Sequence, residues 1–353
     1  MGTQLASVQR LGTRALHPRV LLPGIFAACL LVGLLVVSNA GAVLHDTLTV
    51  QPGTLVFYLF VMLAYEAVRT LQWLLWLRAI GVRAPLGVRV FAFLAGEGGI
   101  FLPAGNYLRN YLLRQAAGTA YGSSAPASAA SLLLENGVAL AAAGILGIPG
   151  WGWLRPTAFA VLAGLATTVT LLYLLMRVAH LPQWITSRMR LRWLVEEAGR
   201  FREASLLLGH PRLVAIQAGL GALYLACGGT GLYVILQGLG LHQMTFPQAL
   251  GVYAFSLAVG LLAPLPLDLG VIEVSGVGAL VACGVPQSVA VSAMLLQRVL
   301  SGGYALLMAG AVVTTFKRAR RAALAGTPVA LAGVGTGALG EKRPEAAEAP
   351  RTT

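Results

Sequence analysis

Four ionisable side chains lie inside or beside strongly apolar segments of the chain: Arg109, Glu135, Glu273 and Arg298. A guanidinium presents a planar fork of N–H donors that suits a phosphate or a carboxylate, whereas a carboxylate attracts a cation or an amine. Charged groups surrounded by apolar chain are costly unless they face one another or a polar cavity. The four residues therefore predict an interior polar groove that could contact a charged ligand.

Two apolar segments, 90–115 and 249–284, are interrupted near their middle by proline and glycine. Proline removes a backbone donor and disrupts a helix, so such a break in lipid requires protein or water to satisfy the freed carbonyls. We expect a re-entrant hairpin at each break. The breaking residues are Pro103, Gly105, Pro264, Pro266 and Gly270, and the polar side chains of Asn106 and Asp268 lie beside them as further groove candidates.

The composition indicates that lipid is the main solvent of this chain. Apolar residues make up 57% of the 353 positions and charged residues only 10%, a balance that a soluble domain cannot bury. The formal net charge of +13 comes from Lys and Arg between apolar runs, where they orient helices and meet anionic headgroups. Nucleic-acid binding is therefore excluded. The three cysteines and five histidines show no ligand spacing, so neither a metal site nor another cofactor is expected.

Six segments are long and apolar enough to span the hydrocarbon core of about 30 Å. With both termini in the cytoplasm, the basic connection 178–212 is also cytoplasmic and contains an amphipathic helix near 185–208. If segment 249–284 instead crosses twice, the parity is unchanged and the count rises to eight full spans. The six predicted spans are 20–44, 54–77, 127–148, 157–177, 213–239 and 287–316.

The order of two helices, a broken hairpin and one helix occurs twice, with opposite orientation. Pro103 precedes Glu135 by 32 residues, and Pro266 precedes Arg298 by the same spacing. Such inverted repeats place a transport site near the midplane. We therefore predict an all-α polytopic membrane protein with a basic segment 1–19, a first repeat at about 20–150, a second at about 157–316 and a disordered cytoplasmic tail 317–353.

Several of the buried charges have a purely structural interpretation as well. Glu135 and Arg298 could form a mutual ion pair across the repeat axis, or could bind a headgroup. Glu66 and Arg69 are three residues apart on one predicted helix and can form a local pair. Glu97 could either cap a half-helix or line the cavity, and the sequence does not choose between these roles.

The first break, the later Glu135, and the second break with Arg298 resemble the membrane domain of the lysylphosphatidylglycerol synthase and flippase-like family over residues 20–316. The first family motif has Pro, then Gly-Glu, then Arg; here Asn106 stands where the acid is expected and Arg109 is kept. The second motif has Pro-Gly-Gly-Leu-Gly followed by an acid. Here the segment reads Leu267-Asp268-Leu269-Gly270, and Glu273 supplies the acid.

The resemblance implies a flippase-like protein that moves, or helps to move, a polar-headed lipid between leaflets. Members with synthase activity carry an aminoacyltransferase domain after the membrane domain, whereas here Phe316 is followed by an Ala/Gly/Pro-rich segment, so no enzyme activity is expected. The expected ligands are anionic or zwitterionic lipids of a bacterial inner membrane, with a lipid-synthesis enzyme as a possible partner. Two alternatives stay open: a lipid-modifying enzyme that uses Glu97, Asp268 and Glu273, and a non-transporting scaffold of an envelope complex.

Overall fold

The computed structural model describes residues 51–98, 107–178, 192–262 and 270–324, together with scattered positions between 41 and 50. These residues form ten helices, and no strand occurs among them. The chain is thus an all-α protein, as predicted. The helices are α1 (Pro52–Ala79), α2 (Leu86–Glu97), α3 (Leu108–Ala117), α4 (Tyr121–Leu146), α5 (Leu154–Val178), α6 (Arg192–Leu208), α7 (Pro211–Gly238), α8 (Phe246–Leu262), α9 (Val271–Ala282) and α10 (Gln287–Leu324).

Five of the described helices are long and apolar enough to cross a membrane: α1, α4, α5, α7 and α10. They coincide with five of the six predicted spans, and their ends differ from the predicted ones by a few residues. The first predicted span, 20–44, lies almost wholly outside the described residues. Helix α10 continues to Leu324, beyond residue 317 where the predicted tail begins. The chain divides into two compact units, 1–313 and 314–353. Of the second unit the structure describes residues 314–324, which form the end of α10.

Helices α1 and α7 have the same length and the same terminal signals. Each has 28 residues and starts with a proline, Pro52 or Pro211, where the missing N–H costs no helical hydrogen bond. Each ends before a glycine in the left-handed region, Gly81 at φ 72° or Gly240 at φ 82°. The next N–H donates back to a carbonyl of the last turn, from Val82 or Leu241, at 3.0 Å in both cases, which closes the helix as glycine C-caps do.

Each broken apolar segment contributes two helices that pack against each other, α2 with α3 and α8 with α9. Helices α2, α3 and α9 have 12, 10 and 12 residues, too short to span about 30 Å at 1.5 Å per residue. Each of the two apolar segments therefore contains two separate helices in its described part. The connecting residues 99–106 and 263–269 lie outside the described part of the chain, and with them Pro103, Gly105, Asn106, Pro264, Pro266 and Asp268.

Two apolar cores hold the described helices together. One includes Tyr58 and Met62 of α1 and residues of α4, α7, α8, α9 and α10. The other includes Trp73 of α1, Phe93 of α2 and residues of α3, α4 and α6. Glu66 and Arg69 of α1 therefore lie between the segment packed into one core and the segment packed into the other.

The centre of the protein is tied together by buried amides. Gln72 of α1 donates to the carbonyl of Gln217 on α7 at 3.2 Å, and Gln217 donates to the carbonyl of Gln72 at 2.9 Å. On α10, Gln297 accepts a hydrogen bond at its carbonyl from the Tyr58 hydroxyl at 3.3 Å, while its own side-chain amide donates to the Gly228 carbonyl at 3.4 Å. These bonds join three of the long helices in a region where water cannot replace them.

Helix α6 confirms the helical part of the predicted amphipathic segment from Arg192 to Leu208, while 185–191 lies outside the described residues. It packs on α4 and α5. The Glu197 carboxylate accepts a hydrogen bond from the Gly122 N–H in the first turn of α4, where a negative charge also complements the helix dipole.

Candidate functional site: a buried charge cluster

Five charged side chains from four helices meet inside the protein, and we call them the charge cluster. They are Glu66 and Arg69 of α1, Glu97 at the end of α2, Arg109 at the start of α3, and Glu135 of α4. Glu66 lies about 20 Å from each end of α1, and Glu135 lies near the middle of α4, at 1.5 Å per residue. The cluster thus sits near the middle of two membrane-spanning helices.

Arg69 is at the centre of the ion pairs. Its Nη1 donates to Glu97 Oε2 at 2.5 Å and lies 3.9 Å from Glu66 Oε1, while its Nη2 lies 4.0 Å from Glu135 Oε2. Arg109 Nη1 is 3.9 Å from Glu97 Oε1. One guanidinium therefore faces three carboxylates, and a second guanidinium shares the most tightly bound of them.

Aromatic rings surround both guanidiniums. The Cζ atom of Arg69 lies 5.6 Å from the ring centroid of Tyr65 and 5.7 Å from that of Tyr224. The Phe93 ring contacts both guanidiniums, with its centroid 5.9 Å from the Cζ atom of Arg69 and 5.3 Å from that of Arg109. Cation–π contacts of this kind are strongest where the cation has lost its water, and they keep the charges oriented in a dry site.

The Ser128 hydroxyl on α4 connects the cluster to its surroundings. Its oxygen lies 3.0 Å from Arg109 Nε, 2.9 Å from Asn110 Nδ2 and 3.3 Å from Trp73 Nε1. Three donors from two other helices thus share the two lone pairs of one hydroxyl. Ser128 fixes the position of Arg109 relative to α1 and α4.

Replacing Ser128 with Ala should lower the free energy of unfolding by about 1–2 kcal/mol, because buried donors lose their acceptor. Thermal unfolding of the detergent-solubilised protein measures this change. The control is Ser131→Ala, which removes an equally buried hydroxyl on the same helix that bonds only to the Ala127 carbonyl of its own helix. Equal losses in the two variants would contradict the role assigned to Ser128.

A second ion pair lies at the second break. Arg298 Nε of α10 is 3.1 Å from Glu273 Oε1 of α9. The other oxygen of Glu273 accepts a hydrogen bond of 2.7 Å from the N–H of Gly270, which precedes α9 with φ 82°. Glu273 is 1% exposed, whereas the Arg298 side chain is 24% exposed. The carboxylate of this pair is therefore buried, and the guanidinium is partly accessible.

The structure gives Glu135 and Arg298 different partners from the mutual ion pair that the sequence suggested. Glu135 faces Arg69 of α1, and Arg298 faces Glu273 of α9. The predicted Glu66–Arg69 contact is present. Glu97 lines the interior and does so as an ion-pair partner of both cluster arginines.

Of the predicted site residues, Arg109 and Glu135 lie in the charge cluster, and Glu273, Arg298 and Gly270 lie together at the second break. Sequence analysis did not select Trp73, Asn110 or Ser128. An arginine such as Arg69 within a long apolar span is a signal for a functional position, and it would have led to the cluster. Ser128 lies in a run of small residues and carries no such signal.

A separate cavity of about 570 Å³ opens at the connection between α4 and α5. It is lined by residues 146–152 and by Arg155, Pro247 and Gln248. Glu135 is 11 residues from the end of α4, about 17 Å along the helix axis. The cavity is therefore distinct from the charge cluster.

Long apolar helices, two pairs of short helices at breaks, and ion pairs near mid-span define a polytopic helical membrane protein with an interior polar site. The model of the family described as "Lysylphosphatidylglycerol synthase TM region" matches residues 21–310. The chain belongs to this family, an integral membrane family tied to lipid handling. A search of curated proteins found no match.

Proposed function

We propose that the protein translocates, or helps to translocate, a polar-headed membrane lipid between leaflets. The observation that carries this proposal is the charge cluster of mixed sign near the middle of two spanning helices. A charged headgroup crosses hydrocarbon only at high cost. A groove that presents both guanidiniums and carboxylates at mid-depth would lower that cost while the acyl chains stay in lipid.

The proposed groove lies between two halves related as an inverted repeat. The matched lengths and terminal signals of α1 and α7 support this relation, as do the paired short helices that follow each of them. Helices α3 and α9 also both end before a glycine with positive φ, Gly118 and Gly284. We infer that both pairs of short helices are re-entrant, since such half-helices converge on the substrate site in inverted-repeat transporters.

Within this groove, Arg298 is the proposed first contact for the headgroup phosphate because its side chain is partly exposed. Arg109 is only 3% exposed and would be reached after the cluster opens. Glu135 and Glu273 would contact a cationic group on a zwitterionic headgroup. The lipid leaves chemically unchanged, so no nucleophile or general base is required.

Leaflet exchange of headgroup-labelled lipids in proteoliposomes tests the proposal. Wild-type protein should accelerate exchange, and Arg298→Gln and Glu135→Gln should each reduce it at least tenfold. Arg78→Gln is the control, because Arg78 lies exposed in the last turn of α1. Equal exchange in empty liposomes would contradict translocation, and chemically altered lipid recovered after the assay would favour an enzyme instead.

A further inference from the structure

The charge cluster is unbalanced. It contains three carboxyl groups, Glu66, Glu97 and Glu135, and two guanidiniums, Arg69 and Arg109. If every group is ionised, one negative charge is left without a counter-charge among the described residues, near the middle of the membrane. An uncompensated charge at that depth is strongly unfavourable, so the site requires one further positive species.

Among the three carboxyl groups of the cluster, Glu66 has the oxygen that is left without a donor. Glu97 receives the 2.5 Å hydrogen bond from Arg69 and a second contact from Arg109. Glu66 and Glu135 reach Arg69 only at 3.9 and 4.0 Å, so distance does not separate them. Glu66 is 7% exposed, and it is the cluster carboxyl group with an oxygen, Oε2, that is buried without a hydrogen-bond partner among the described residues. A buried carboxylate oxygen without a donor is rare, because the desolvation cost is not recovered.

The groups around Glu66 determine which positive species fits. The two guanidiniums repel a metal ion, and among the described residues no group of three His, Cys, Asp or Glu side chains is arranged to hold one. A proton needs no coordination shell and converts the unpartnered oxygen into a neutral hydroxyl. Facing Glu66 are Tyr65 and Arg69 of α1, Glu97 of α2, Arg109 of α3, Glu135 of α4 and Tyr304 of α10, with Tyr224 of α7 and Tyr253 of α8 beside Arg69 and Glu135.

We propose that Glu66 is a proton-binding site and that its proton is exchanged during the transport cycle. In the resting state the carboxyl group is protonated and the cluster is neutral. On release, the O–H bond breaks, the proton passes to water and the carboxylate remains. This release is favoured when a cationic group enters the cluster and is opposed when a phosphate enters, so headgroup occupancy and protonation are linked; this linkage rests on the proposed function.

Infrared spectroscopy of the full-length protein in lipid bilayers detects the proton directly. At neutral pH the wild-type protein should show a protonated-carboxyl band that shifts on transfer to D₂O and disappears at alkaline pH. Glu66→Gln should lack the band, because the amide has no carboxyl group to protonate. The variant should still fold, since the neutral amide has the same shape as a protonated carboxyl group and leaves the cluster balanced. Glu203→Gln, at an exposed position on α6, should retain it.

No protonated-carboxyl band in wild-type protein overturns the proposal without any variant, so misfolding of Glu66→Gln cannot obscure the result. A band that survives in folded Glu66→Gln also overturns it. The spectrum requires no transport. A band without lipid exchange therefore supports the proton site and contradicts the proposed function, whereas exchange that is unchanged by an imposed pH gradient contradicts the linkage.

Discussion

Arg69→Ala should lose about 3–5 kcal/mol of unfolding free energy, the cost of removing one partner from a buried ion pair. The reason is that Arg69 faces Glu66, Glu97 and Glu135, so its removal leaves Arg109 alone with three carboxyl groups. Thermal unfolding and the folded fraction after extraction in detergent measure the loss.

Two further variants separate the ion-pair effect from a general effect of losing an arginine. Arg78→Ala, on the same helix but exposed, should change stability by less than about 1 kcal/mol. Arg69→Met combined with Glu97→Met removes both members of the shortest ion pair. The cluster then keeps an excess of one carboxyl group over guanidiniums, as in the wild type, so this double variant should be more stable than Arg69→Ala. If Arg69→Ala and Arg78→Ala unfold at the same temperature, the cluster does not stabilise the fold.

Gly96→Val should destabilise the protein by about 3 kcal/mol, at the upper end for overpacking in a close-packed core. A Cβ atom at Gly96 of α2 would lie 2.7 Å from Arg109 Cβ and 2.9 Å from the backbone of Arg109 on α3. Backbone cannot rotate away, so α2 and α3 must separate, and Arg109 then moves away from Glu97 and Ser128. The same variant should lose lipid exchange along with stability.

Gly87→Val is the matched control on the same helix. A Cβ atom there meets nothing within 4 Å, and valine is a better helix former than glycine. This variant should be as stable as the wild type or slightly more stable. Equal melting temperatures for the two variants would show that α2 and α3 do not pack as closely as their backbones indicate.

The spanning helices could be predicted from sequence because their signals are local. Apolar length defined α1, α4, α5, α7 and α10, and helix α10 begins at Gln287 as predicted. Each apolar segment with proline and glycine near its middle holds two described helices, while the predicted breaking residues Pro103 and Pro266 lie outside the described part of the chain. The fold class follows from such features alone, since backbone groups in lipid must be paired internally and uninterrupted apolar runs of about 20 residues achieve this as helices.

The pairing of charges could not be predicted in the same way. The i, i+3 spacing of Glu66 and Arg69 predicts their contact, but the shorter bond from Arg69 goes to Glu97 on another helix. Similarly, Arg298 meets Glu273 because of how α9 packs beside α10. Which side chains meet between helices depends on the rotation and the axial position of each helix, and one sequence does not encode these as a recognisable pattern.

The crossed hydrogen bonds between Gln72 and Gln217 set a limit on how the protein can move. Sliding α1 along α7 by a single residue, about 1.5 Å, would stretch both bonds together, and no water is present in the surrounding lipid to take their place. The two helices are therefore expected to move together as one rigid unit. If the protein translocates lipid as proposed, the movement is then expected in other helices, among them the short helices that bring Glu97, Arg109 and Glu273 to the interior.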